Sequence, residues 1–171
     1  MKREILVYPD KRLKLMSQDI TKFDDELHEL LDDMRETMYA KDGIGLAAIQ
    51  IGVAKNVLII NLTDENEEQK PENLYEIINP TILSAEGSVT YQEGCLSVPS
   101  VYEDVTRKEN IKVQYFDRNG NRIEKELEGL MAIAFQHELD HLNGHLFIEK
   151  LSYLKRKKFE KEWKKKLKES K

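Results

Sequence analysis

Apolar residues recur at Phe23, Leu27, Leu30, Leu31, Met34 and Met38 with acids between them, the three-and-four spacing of a single helix face. The pattern predicts an amphipathic helix over residues 23–38. Thr21 is placed to cap its start, with Asp24 three residues on as a short capping box, and Lys41-Asp42-Gly43 reads as its stop. Beyond it the period changes. Residues 56–61, 74–79, 82–91 and 111–116 are rich in β-branched or aromatic side chains, and Ile111, Val113 and Tyr115 alternate cleanly, which predicts half-buried strands. Asn119-Gly120, between Phe116 and Ile123, predicts a hairpin turn. The polar, acidic stretch 63–72 reads as a solvated loop. A second helix is predicted from about Glu128 to Leu142, buried along Leu130, Ile133, Ala134 and Phe135 and ended by Asn143-Gly144. From Leu151 a Lys-rich helix follows, with a thin apolar stripe of Leu151, Leu154, Phe159, Trp163 and Leu167. Strands lying between a first and a central helix, without regular βαβ alternation, predict an α+β fold. Its antiparallel sheets pack around the central helix, flanked by an N-terminal and a C-terminal helix.

Length and charge sharpen this picture. A chain of 171 residues supports one core, so residues 1–150 are read as a single domain and 151–171 as a basic helix that extends it. Charged residues make up 35% of the chain, above the ~25% typical of soluble domains, and they are unevenly spread. Residues 150–171 hold eleven Lys and Arg against three acids, while the chain as a whole carries −5. The body is acidic and the tail basic. No apolar run approaches the ~18 residues that would span a bilayer. The opening MKREILVYPD lacks the apolar segment of a secretion signal, so a cytoplasmic address is expected. Cys95 is the only cysteine, which excludes an intramolecular disulfide.

That thiol matters because of what lies downstream. In His137-Glu138-Leu139-Asp140-His141 two imidazoles sit four apart on the second helix, so both project from one face and can grip one metal ion, with Glu138 beside its open position. Unpaired imidazoles on so apolar a helix would be costly. A catalytic site of this type takes three protein ligands and leaves one position for water. The position where a metalloprotease pattern would place a third His holds Phe147, and His145 falls after the helix has ended. A distal Glu would have to be Glu160 or Glu162, both in the Lys-rich tail. Cys95 remains, in a constrained segment where Gly94 permits tight backbone and Pro99 is expected to stop further strand pairing. One thiolate, two neutral imidazoles and a water suit iron(II) or zinc. A third block, residues 43–50, is half Gly or Ala, so backbone can approach a ligand there. Its Gln50 offers an amide to a developing negative charge.

In this order the blocks GIGLAAIQ, EGCLSVP and QHELDHLNG resemble the three signature motifs of the peptide deformylases, and the resemblance, to the bacterial type, covers nearly the whole chain. It implies that Cys95, His137 and His141 bind one divalent metal, natively Fe2+, with Zn2+, Ni2+ or Co2+ as substitutes. It further implies removal of the formyl group from N-formylmethionyl nascent peptides as formate, with Glu138 taking a proton from the attacking water and returning it to the leaving amine. The Gln50 amide and the Leu96 N–H would hold the oxyanion. Ile44, Gly45 and Gly94 would receive the peptide as an added strand, its methionine entering an apolar pocket near Ile133 and His137. Glu93 is a candidate to accept the second N–H of a ligating histidine, and Arg107 to fix Asp140. The basic C-terminal helix would dock on the ribosome, and no membrane association is expected. Two other readings share these residues: an HExxH peptidase in which Cys95 is idle, and a structural metal module that binds RNA through the tail, for which four closed ligands are expected.

Overall fold

The structure is a computed structural model and describes residues 1–169. The first helix, α1, spans Asp25–Ala40. Asp24 caps it in place of Thr21, because the Asp24 carboxylate accepts the Leu27 N–H at 3.1 Å and so satisfies a donor that a helix start leaves unpaired. Leu27, Leu30, Leu31, Met34 and Met38 are buried as the periodicity requires.

Seven strands follow among the described residues: β1 (Gly45–Ala47), β2 (Val57–Ile60), β3 (Tyr75–Glu86), β4 (Val89–Cys95), β5 (Val98–Arg107), β6 (Asn110–Phe116) and β7 (Arg122–Glu128). An antiparallel sheet runs in the order β1-β2-β3-β6-β7, while β4 and β5 form a separate hairpin. The second helix, α2, spans Gly129–Leu142. All four residues of β2 are buried, and their alternation explains how one strand serves two helices. Val57 and Ile59 pack with the α1 face, whereas Leu58 and Ile60 pack with Ala132 and Phe135 of α2. The sheet therefore lies between α1 and α2. Phe135 is fully buried at its centre, a burial that contributes on the order of 1.5–3 kcal/mol.

Three expectations change. The stretches 74–79 and 82–91 are not two separate strands. β3 runs through Asn79-Pro80 on a bulge, where the Asn79 side chain bonds both the N–H and the carbonyl of Ile20 and bends the strand without breaking it. It ends at Glu86 because Gly87, at φ 73°, turns the chain into β4 and the other sheet. Pro99 does not stop pairing: it lies inside β5, in the irregular stretch between the pairs Cys95↔Val98 and Glu93↔Glu103, where no ladder bond is lost by its missing donor.

The last helix, α3, spans Tyr153–Glu169. Phe159 and Trp163 bury their rings against Tyr8, and the Trp163 indole donates to the Tyr8 carbonyl at 3.2 Å. Leu154 is 79% exposed and does not belong to the stripe. No described helix is long and apolar enough to cross a membrane.

Candidate metal centre

His137 and His141 lie one turn apart on α2, as four-residue spacing dictates, with ring centroids 4.9 Å apart and Nε2 atoms 3.2 Å apart. Cys95 reaches them from the end of β4. There a turn at Leu96-Ser97 folds the chain back so that Cys95 pairs with Val98, which puts its Sγ 3.3 Å from His141 Nε2. The three ligand atoms all lie within 4.8 Å of one another. Two buried imidazole nitrogens aimed at each other and at a sulfur leave lone pairs that no internal donor set satisfies at once. A divalent cation of borderline softness fits that gap.

The surroundings orient these groups. Glu93 Oε1 lies 2.9 Å from His137 Nδ1, so an Nδ1–H donates to it and Nε2 is left facing the centre. Arg107 donates to both Glu93 oxygens, at 2.7 and 2.9 Å, and to Asp140 at 2.7 Å. Burial alone would raise the Glu93 carboxyl, but Arg107 and His137 outweigh it and hold it below the usual carboxylate range. His141 differs: its Nδ1 is buried with no hydrogen-bond partner among the described residues. Burial lowers its proton affinity well below normal, and its neighbour His137 adds to the effect. Glu138 is buried beside the centre, with Oε1 3.7 Å from His137 Nε2, and burial pushes its carboxyl up to about 7.

Gln50 is also buried. Its Oε1 accepts the Ala47 N–H at 2.9 Å, which fixes the amide orientation and turns Nε2 toward Ser97 Oγ at 3.0 Å and Cys95 Sγ at 3.6 Å. Ser97, fully buried, was not legible as a site residue, since a serine in a turn is ordinary in sequence. Leu96, Ile44, Gly45 and Gly94 line a cleft of about 1020 Å³ that reaches Ile133, His137 and Glu138. A Cβ on Gly45 would come within 3.1 Å of the Glu138 carboxylate, and one on Gly94 would strike the Tyr102 ring. Both glycines hold room the cleft needs. His145 and Glu160 stand apart, against Glu149 and Arg156 respectively.

Removing the guanidinium would leave Glu93 and Asp140 without their shared partner. Arg107→Ala is expected to weaken divalent-metal retention about 10–100-fold, read by chelator competition on metal-loaded protein. Unchanged retention would show that Arg107 does not support the centre.

Comparison with known proteins shows the family. Residues 2–157 match the family model for polypeptide deformylase. A peptide deformylase of Campylobacter jejuni is 56% identical over 172 residues, covering 100% of this chain and 98% of that protein. The crystal structure of a peptide deformylase from Legionella pneumophila superposes with a TM-score of 0.88 at 41% identity, covering 100% of this chain and 99% of that one. A peptide deformylase from Ehrlichia chaffeensis, solved in complex with actinonin, gives 0.87 at 43% identity, covering 96% and 97%.

Proposed function

This chain belongs to the polypeptide deformylase family, and we propose that Cys95, His137 and His141 hold one divalent cation, iron(II) in the cell, at which formylmethionyl nascent peptides are hydrolysed to formate and a free amine. The reading is carried by one juxtaposition: a buried carboxyl, Glu138, beside a sulfur and two imidazole nitrogens that converge at the wall of a peptide-sized cleft. When bound, the cation polarises the formyl oxygen and acidifies a water. Zinc, nickel and cobalt suit the same donors as substitutes.

Glu138 takes a proton from the attacking water and passes it to the departing nitrogen, a task suited to a carboxyl buried beside the ligand atoms at the cleft wall. Gln50 Nε2 and the Leu96 N–H donate to the oxygen on which negative charge develops, and the bond from Ala47 to Gln50 pre-orients that amide. The peptide lies along the free edge of β1 at Ile44 and Gly45, opposite Gly94, as an added strand. Its methionine side chain enters the apolar end of the cleft at Leu130, Ile133 and Ala134. Residues 1–150 form the catalytic unit and 151–169 extend it, the last two residues of the expected 151–171 tail lying outside the described residues. The substrate places the enzyme's work in the bacterial cytoplasm, where formylated chains are made. The outward lysines of α3 contact ribosomal phosphate while Phe159 and Trp163 anchor the helix to the body.

Two experiments test these statements. Glu138→Ala is expected to keep one metal per chain yet release amine from a formyl-Met tripeptide about 10²–10⁴-fold more slowly, while the native enzyme leaves an acetyl-Met tripeptide intact. Full activity in the variant would remove Glu138 from the chemistry. Replacing Lys161, Lys164, Lys165 and Lys168 by Glu is expected to abolish salt-sensitive ribosome binding without changing turnover of the tripeptide. Binding that survives these replacements would contradict the docking role.

A further inference from the structure

The segment joining β2 to β3 carries a run of acids and reads as solvated, yet one of its side chains turns inward. Gln69 Nε2 donates to the Gly43 carbonyl and to the Asn61 carbonyl, both at 2.8 Å. Both partners are acceptors, so only the amide nitrogen can face them and the side-chain orientation is settled by chemistry. The segment is built to present this residue. Asp64 Oδ1 accepts the N–H groups of Asn66 and Glu68, at 2.8 and 3.0 Å, and Asp64 Oδ2 pairs with Lys70 Nζ at 3.2 Å. Asn61 in turn donates its side-chain amide to the Lys70 carbonyl at 3.0 Å and to the Tyr39 hydroxyl at 2.7 Å.

What Gln69 pins is the edge that borders the cleft. The Asn61 N–H donates to the Ile44 carbonyl at 2.8 Å, so Ile44 and Asn61 are a hydrogen-bonded pair of the β1–β2 ladder, and Gly45↔Ile60 is the non-bonded pair next to it. The N–H and carbonyl of Gly45 therefore point away from β2. They face the cleft, unpaired within the sheet; Gln69 holds the Gly43 carbonyl two positions before Gly45 and the Asn61 carbonyl next to its partner Ile60. β1 is only three residues long, and its entry from α1 otherwise rests on the bond from the Gly43 N–H to Met38.

We propose that Gln69 is a positioning residue that fixes residues 43–45 as a rigid strand edge and thereby sets affinity for the substrate main chain, leaving the hydrolytic step to other groups. The inference rests on the reading that a formylated peptide docks on this edge. A substrate without residues beyond methionine makes little use of the edge and is indifferent to Gln69.

Gln69→Ala and the isosteric Gln69→Glu, which sets oxygens against both carbonyls, test this in the metal-loaded full chain. Two lost hydrogen bonds correspond to roughly tenfold at about 1 kcal/mol each, allowing for partial rescue by water. Amide hydrogen exchange over residues 43–47 should accelerate about tenfold. KM for a formyl-Met tripeptide should rise by a similar factor, with kcat within about twofold, metal content unchanged and kcat/KM for formylmethionine alone unchanged. Unaltered exchange overturns the proposal. So does a loss that falls on kcat, on metal content or equally on both substrates. If the native enzyme releases amine from neither substrate, the deformylase reading fails by itself. The exchange data then still decide whether Gln69 pins the edge.

Discussion

The centre exists only because α2 is latched to the β4–β5 hairpin. Cys95 and His141 are 46 positions apart, one at the end of β4 and the other on α2, so neither local helix geometry nor the hairpin alone brings sulfur to nitrogen. The latch is polar. Arg107, at the end of β5, grips Glu93 on β4 and Asp140 on α2, and Gln136 exchanges hydrogen bonds with both the N–H and the carbonyl of Lys108. With its side chain 3% exposed, Arg107 stabilises only as long as both carboxylates are present, since an uncompensated buried charge costs several kcal/mol. Its worth lies in register. A shift of the hairpin along α2 would break four directional bonds at once: Arg107 to Asp140, the two between Gln136 and Lys108, and His137 to Glu93.

The same burial that makes the latch demanding gives the site its chemistry. Burial raises the Glu138 carboxyl to about 7, while Glu93, which faces His137 on the same helix, is held below the usual carboxylate range by Arg107 and His137. The proton affinities of two neighbouring buried carboxyls are thus displaced in opposite directions. The small residues of 43–50 belong to this arrangement too. Gly45 abuts the Glu138 side chain, so a Cβ there would press on its carboxylate at 3.1 Å. Steric allowance on β1 and proton affinity on α2 are one constraint seen from two elements.

Much of this was legible in the chain. The α1 stripe, the α2 boundaries and the i, i+4 histidines follow from periodicity, and elimination among the possible third ligands points to Cys95. Glu93 and Arg107 could be proposed as supports, although sequence gave no hint that a single guanidinium serves Glu93 and Asp140 together. Other features were hidden because long-range contacts override local signals. Gly87 reads as a tolerable glycine within an apolar run, yet it divides two sheets. Pro99 reads as a strand breaker, but the irregular pairing around it asks for no donor. Gln69, among acids, looks like any solvated amide until Gly43 and Asn61 are found against it.

The central claim is that one sulfur from the hairpin and two nitrogens from α2 share one cation. X-ray absorption at the metal edge of zinc-loaded protein reads this directly. The account predicts one sulfur at about 2.3 Å and two imidazole nitrogens at about 2.0–2.1 Å, with the sulfur lost in Cys95→Ser. A coordination shell without sulfur in the native protein, or one unaltered by that substitution, would contradict it.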